Sequence, residues 1–220
     1  MKRSILSIIA LAIFSLAGSA QTLVQDINPG AGDAVPNRMV KFGSEIFFEA
    51  NDGTSGRELW KTDGTTASLV MDINPGSEHS YPFDLTVFNS ELYFRAIDGT
   101  NGYELWKYDG TSTTLVQDIN PGSENSSPFA LTVFDSNLYF TANDGTSGIE
   151  LWKYDGTTAT LVQDINPGSG SSSPVHLTVV GSNLFFTATD GVNGTELWKY
   201  DGTTATMVQD INPGAAGAAL

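Results

Sequence analysis

Carboxylates are the groups in this chain best placed, by type and spacing, to do chemistry. Seventeen of its 25 acidic residues recur at fixed offsets: Asp26, Asp72, Asp118, Asp164 and Asp210; Asp52, Asp98, Asp144 and Asp190; Asp63, Asp109, Asp155 and Asp201; and Glu58, Glu104, Glu150 and Glu196. Paired acids are the machinery of glycoside hydrolysis, in which one protonates the leaving group and the other attacks or activates water. That chemistry needs two acids singled out, whereas repetition makes these alike. An Asp in an Asp-Gly turn instead accepts hydrogen bonds from nearby backbone amides, and this structural role is favoured for the set. Asp84 and Asp135 are the framework-independent Asp of the later units, and strand alternation puts them at opposite ends. A glycan lyase or hydrolase is therefore the weakest reading, and no catalytic residue is assigned.

Metal chemistry fares no better. Asn51-Asp52-Gly53-Thr54-Ser55-Gly56 offers two side-chain oxygens plus carbonyls, short of the six to eight oxygens calcium takes. The EF-hand spacing is absent. The two histidines, His79 and His176, stand at different offsets, so neither a zinc site nor a Ser-His-Asp triad assembles around them. With no cysteine there are no thiolate ligands, Cys nucleophiles or disulfides. No cofactor or metal is expected.

The elements that must carry these residues follow from an internal repeat. Trp occurs only at 60, 106, 152 and 198, and Asn-Pro at 28, 74, 120, 166 and 212, always 46 residues apart. Four units run 23–68, 69–114, 115–160 and 161–206, followed by a partial unit at 207–214; neighbouring later units match without gaps at 34 and 35 of 46 positions. In the third unit, Leu131–Phe134, Leu138–Ala142, Glu150–Tyr154 and Thr160–Ile165 are four strand-like runs, here a, b, c and d. They are separated by Asp135-Ser136, by a glycine-rich loop and by Asp155-Gly156, which are hairpin signals. Leu138, Phe140 and Ala142 share one face of strand b, with Tyr139 and Thr141 on the other, so each sheet is sandwiched between neighbours. Four strands in 40–50 residues is the signature of a propeller blade. The expected fold is all-β, a β-propeller of four 46-residue, four-stranded antiparallel blades; an open arc of blades is the alternative. A β-solenoid is disfavoured, since its coils are shorter and lack tight Asp-Gly hairpins. The a, b and c runs occur four times but d five times, counting Leu23–Ile27 and Met207–Ile211. The surplus d either seals the ring or mediates self-association.

Glu58–Thr65, Glu104–Thr111, Glu150–Thr157 and Glu196–Thr203, with the Leu-Val-x-Asp-Ile-x-Pro-Gly that follows, resemble the ELWxxDGT repeat family over essentially all of 23–214. The resemblance implies a secreted or surface-exposed bacterial repeat protein, most simply a propeller, and carries no catalytic residues to transfer.

The address fits. Lys2 and Arg3, an apolar Ile5–Leu16 and Ala17-Gly18-Ser19-Ala20 have the three-part pattern of a secretory signal peptide over 1–20, leaving 21–214 as the repeat domain and 215–220 as a short tail. A run of twelve residues is too short to span a bilayer, and no membrane span is expected. The net charge of −15 argues against nucleic acid. Most of that charge is the repeat's own, three Asp and one Glu against one Lys in each unit.

Differences between units carry the remaining information. The b–c and d–a connections emerge at one end of a blade. Positions 76–84 and 99–103, with their counterparts, hold 12 of 23 differences within 14 of 46 positions. Loops at this end are the expected ligand-binding surface, with Arg57, His79, Tyr81, Asp84, Tyr103, Asn125 and His176 as candidate binding residues. Asn125-Ser126-Ser127 and Asn193-Gly194-Thr195 are sequons, relevant only in a glycosylating host. The sequence therefore reads as an exported, non-enzymatic module that binds a protein or carbohydrate, with a self-associating structural element as second reading.

Overall fold

The structure, a computed structural model, describes residues 22–214; the leader and tail expected at 1–20 and 215–220 lie outside the described residues. Within them, sixteen strands form four separate antiparallel sheets with no helix. Blade 1 holds β1 (Asn37–Phe42), β2 (Glu45–Asn51), β3 (Arg57–Thr62) and β4 (Ala67–Met71). Blade 2 holds β5 (Phe83–Phe88), β6 (Glu91–Ile97), β7 (Tyr103–Tyr108) and β8 (Thr113–Gln117). Blade 3 holds β9 (Phe129–Phe134), β10 (Asn137–Asn143), β11 (Ile149–Tyr154) and β12 (Ala159–Gln163). Blade 4 holds β13 (Val175–Val180), β14 (Asn183–Thr189), β15 (Thr195–Tyr200) and β16 (Ala205–Gln209). Each sheet keeps sequence order, a to d, and the a strands neighbour one another along the inner side as β1, β5, β9 and β13.

The turns explain the framework acids. The a–b hairpins turn on Asn89-Ser90 and Asp135-Ser136, both residues of each pair at positive φ, as a type I′ turn requires. In the b–c loop the Asp52 carboxylate accepts the amides of Thr54 and Ser55 at 2.8 and 2.7 Å. In the c–d turn Asp63 accepts those of Thr65 and Thr66 at 2.8 and 2.9 Å. The Thr65 hydroxyl and these amides hold Asp63 down to about 2, as expected of a carboxylate that must stay ionised to accept them.

Cores lie between blades. Phe88, Tyr93, Leu105 and Ile119 of blade 2 pack against Leu138, Phe140, Trp152 and Tyr154 of blade 3. Phe134, Tyr139, Leu151 and Ile165 carry the same contact on to Leu184, Phe186, Trp198 and Tyr200 of blade 4. The two faces of strand b therefore serve different neighbours, as the alternation predicts. All four Trp are buried core residues. At about 1.5–3 kcal/mol per large apolar side chain, this stacking is what ties one sheet to the next.

The Glu of each Glu-Leu-Trp ties the b–c/d–a end together. Glu58 is buried and accepts the Ile73 and Ser80 amides, each at 2.9 Å, and the Ser80 hydroxyl. Glu104 and Glu150 do the same with Ile119 and Ser126 and with Ile165 and Ser172.

One expectation changes, and one alternative is settled. Leu23–Ile27 carries the d sequence but is not a strand; among the described residues no c strand precedes it to offer a ladder. Gln25 and Ile27 still rest on blade 1, through a 2.9 Å bond from the Ala67 amide to the Gln25 side-chain oxygen and through packing of Ile27 near Phe48 and Trp60. Of the closed ring and the open arc, both of which the repeat allows, the described residues form the open arc. Ile211 is 59% exposed, against 4–5% for its counterparts Ile73, Ile119 and Ile165.

Candidate functional site

Each inner strand is interrupted by a β-bulge, a device that re-aims a side chain. The bulge residues are Arg38, Asp84, Ala130 and His176, all at φ 55–60°. They occupy one position of the repeat but differ completely in chemistry. The equivalent position on strand b reads Glu49, Arg95, Thr141 and Thr187, and the first residue of strand c reads Arg57, Tyr103, Ile149 and Thr195. Charge is thus concentrated at the b–c/d–a end of blades 1 and 2, while blades 3 and 4 are largely neutral there.

Three arginines, all those of the described residues, converge at this place. Glu49 is fully buried and pairs with Arg57, at 2.9 Å, and with Arg38. The Arg38 and Arg95 guanidinium carbons lie 4.4 and 4.7 Å from the centroid of the Phe83 ring, and Arg95 lies 5.1 Å from that of Tyr103. Phe83 stacks on Phe129 at 6.0 Å. Arg95 is half-buried, and its Nε is enclosed with no hydrogen-bond partner. Burial lowers its pKa, an effect partly offset by Tyr103 and Asp84. A guanidinium held between aromatic faces, with donors unused, is built to receive an anion.

The seven sequence-derived residues divide by role. Arg57 and Tyr103 belong to this cluster through Glu49 and Arg95. Tyr81 projects beside it, 40% exposed and edge-on to His79 at 5.0 Å. His79 and Asn125 act as caps: the His79 Nδ1 accepts the Arg57 amide at 3.0 Å, and the Asn125 oxygen accepts that of Tyr103 at 2.8 Å. Ser171 gives the same service to Ile149 in blade 3. Asp84 turns toward blade 3 and accepts the Leu131 amide at 2.7 Å; burial raises its pKa while the Leu131 and Ala130 amides oppose the rise. His176 is exposed on the inner strand of blade 4. Sequence reading missed Arg38, Glu49, Phe83, Arg95 and Phe129. Their signal was a charged or aromatic residue at a strand position whose chemistry changes from unit to unit, as in Glu49, Arg95, Thr141 and Thr187.

Asp135 lies at the opposite end, in a cleft between blades 3 and 4 lined also by Val179, Ser182 and Asp201. Among the described residues no three His, Asp or Glu gather as a metal site, and no helix is long and apolar enough to cross a membrane.

No family model matches the chain, and no curated protein does. Solved structures do match it. The β-propeller domain of the Trilobed protease from Pyrococcus furiosus, described as having an open velcro topology, aligns at a TM-score of 0.50 and 11% identity over 79% of this chain and 54% of that one. A putative TolB from Agrobacterium tumefaciens aligns at 0.50 and 14% identity, over 85% and 69%. A GH74 enzyme from Niastella koreensis aligns at 0.51 and 16% identity over 76% of this chain, which spans only 28% of the enzyme. At such identities the likeness concerns the fold alone: the chain has the β-propeller fold, built as an open arc of four blades.

Proposed function

We propose that this chain is an exported, non-catalytic binding module, a member of the ELWxxDGT-type repeat proteins it resembles, that holds a carboxylate-bearing glycan at the arginine–aromatic end of blades 1 and 2. The observation that carries the reading is Arg95: a half-buried guanidinium between Phe83 and Tyr103 with an enclosed Nε that no protein group accepts from. An incoming carboxylate would pair with the outer N–H groups of the guanidinium, and the exposed faces of Tyr81 and Phe129 offer planes for sugar rings to stack on. Repetition of the framework acids supports the non-catalytic reading, since the Asp of the b–c and c–d turns and the Glu of each Glu-Leu-Trp are committed to turn or strand-end amides. Export rests on the leader pattern at 1–20 and on the family resemblance.

Titration calorimetry with oligogalacturonate and with its neutral methyl ester tests the site. The acid form binds, the ester does not, and Arg95→Gln weakens the acid by a factor on the order of ten to a hundred. Equal binding of acid and ester, indifference to Arg95→Gln, or binding of carboxylate peptides in place of the glycan overturns the reading.

A further inference from the structure

The two ends of the arc are the two halves of one interface. Wherever blades meet, the leading blade contributes a residue at the end of strand a, the outer-face residue of strand b, a Leu of strand c and the Val and Ile of strand d. Between blades 3 and 4 these are Phe134, Tyr139, Leu151, Val162 and Ile165. Blade 4 carries the same set as Val180, Phe185, Leu197, Val208 and Ile211. Here Val180 is 56% exposed and Val208 49%, and Phe185 and Leu197 are only partly buried where Tyr139 and Leu151 are fully so. The receiving half is on blade 1, where Ile46, Phe48, Trp60 and Ala67 correspond to Leu184, Phe186, Trp198 and Ala205. Met39 beside them is 66% exposed.

We infer that a second copy of this chain docks its blade 4 on blade 1 of the first, and that the reciprocal contact closes a two-copy ring of eight blades. The argument does not depend on the ligand proposed above. The contact continues an interface that already occurs three times within the chain, between sheets whose residues are nearly the same. Its polar element recurs too. The Gln117 and Gln163 oxygens accept the Ala159 and Ala205 amides of the following blade, each at 3.1 Å, whereas among the described residues no blade follows Gln209. The Ala67 amide, the counterpart donor, is held instead by Gln25. Residues 22–27 are thus a partial stand-in for a preceding blade. They cover poorly, with Leu23 79% and Val24 44% exposed, and only Ile27 joins the apolar cluster. A complete blade face displaces them. A head-to-tail contact of this kind closes only if its rotation fits. An eight-bladed ring lies within the usual range.

Sedimentation equilibrium of the full chain over a range of concentrations gives twice the monomer mass. Ile211→Asp and Met39→Glu, each on a side chain exposed in the single arc, separately weaken the dimer by a factor on the order of a hundred without altering the far-ultraviolet circular dichroism spectrum. Val192→Asp, at a site 69% exposed in a b–c loop, leaves it intact. Ile27→Gly, which loosens the stand-in, tightens the dimer. A chain that stays monomeric, a ladder of ever larger species, or insensitivity to both Ile211→Asp and Met39→Glu overturns the inference. Loss of the acidic-glycan site would leave the dimer standing, so the two proposals fail separately.

Discussion

Gly56, Gly102 and Gly148 stand at one place in the b–c loop, with φ of 73°, 67° and 70°. A Cβ on each would run into the backbone carbonyl of the facing d–a loop, that of Glu78, Glu124 and Gly170. The obstacle is main chain, which cannot swing aside as a side-chain tip can. This close approach is what lets His79 and Asn125 cap the first amide of strand c and so seats Arg57 and Tyr103 at the site. Gly102→Ala combines that clash with an unfavourable backbone conformation and costs about 2–4 kcal/mol, read as a lower urea midpoint at unchanged slope; a loss under 0.5 kcal/mol contradicts it. The sequence marks these glycines by their constant spacing, but not their partners, because the facing loop lies 22 residues away and only folding brings it near. For the same reason, reading loops for variable residues found His79 and Asn125, which are caps. It passed over Arg95, which sits inside a strand whose pattern is otherwise that of a core element.

At the scale of elements, strand d is defined by what flanks it. Leu23–Ile27 and Leu115–Ile119 have the same five-residue sequence, yet only the second contributes a strand, because β7 lies beside it. A strand is a pairing, and composition alone could not reveal that the first copy lacks its partner. The a–b, b–c and c–d connections were legible because Asp, Asn and Gly specify their geometry locally. Strand d also carries the blade-to-blade glutamine, and the repeat breaks there once: Met71 stands where Gln25, Gln117 and Gln163 stand in other units. The site it should serve is the start of β8, where the Thr113 hydroxyl is buried without a partner. Met71 is 41% exposed, so Gln can enter without a cavity. Met71→Gln supplies the missing bond and stabilises by about 0.5–1.5 kcal/mol, visible as a higher melting temperature; no gain would mean that blade 2 has already relaxed around the gap.

The whole molecule distributes its carboxylates into two populations that respond oppositely to pH. Asp63, Asp109, Asp155 and Asp201 sit in exposed c–d turns. Hydrogen bonds from the two residues at each turn's far side hold all four below the ordinary carboxylate range. Their stabilisation is present above the unfolded value and fades as pH falls through the folded one. Glu58, Glu104 and Glu150 are buried instead. Burial raises all three, Glu58 to about 7, against the pull of the serine and strand-end hydrogen bonds. A raised acid favours its protonated form in the folded state, so the stability it contributes is whole below about 4.5 and is lost as pH climbs through the folded value. The net charge of −15 at neutrality adds self-repulsion in the same direction. Stability therefore peaks in mildly acidic solution, above the range where the turn aspartates protonate and below that where the buried glutamates ionise. Melting measured at pH 5 and pH 8 should differ by several degrees in favour of pH 5. Glu58→Gln, which keeps an acceptor oxygen but cannot ionise, should flatten part of that slope. A chain equally stable at both pH values, or a slope unchanged in Glu58→Gln, would mean these carboxylates stay charged in their pockets and that the serine and amide hydrogen bonds outweigh burial.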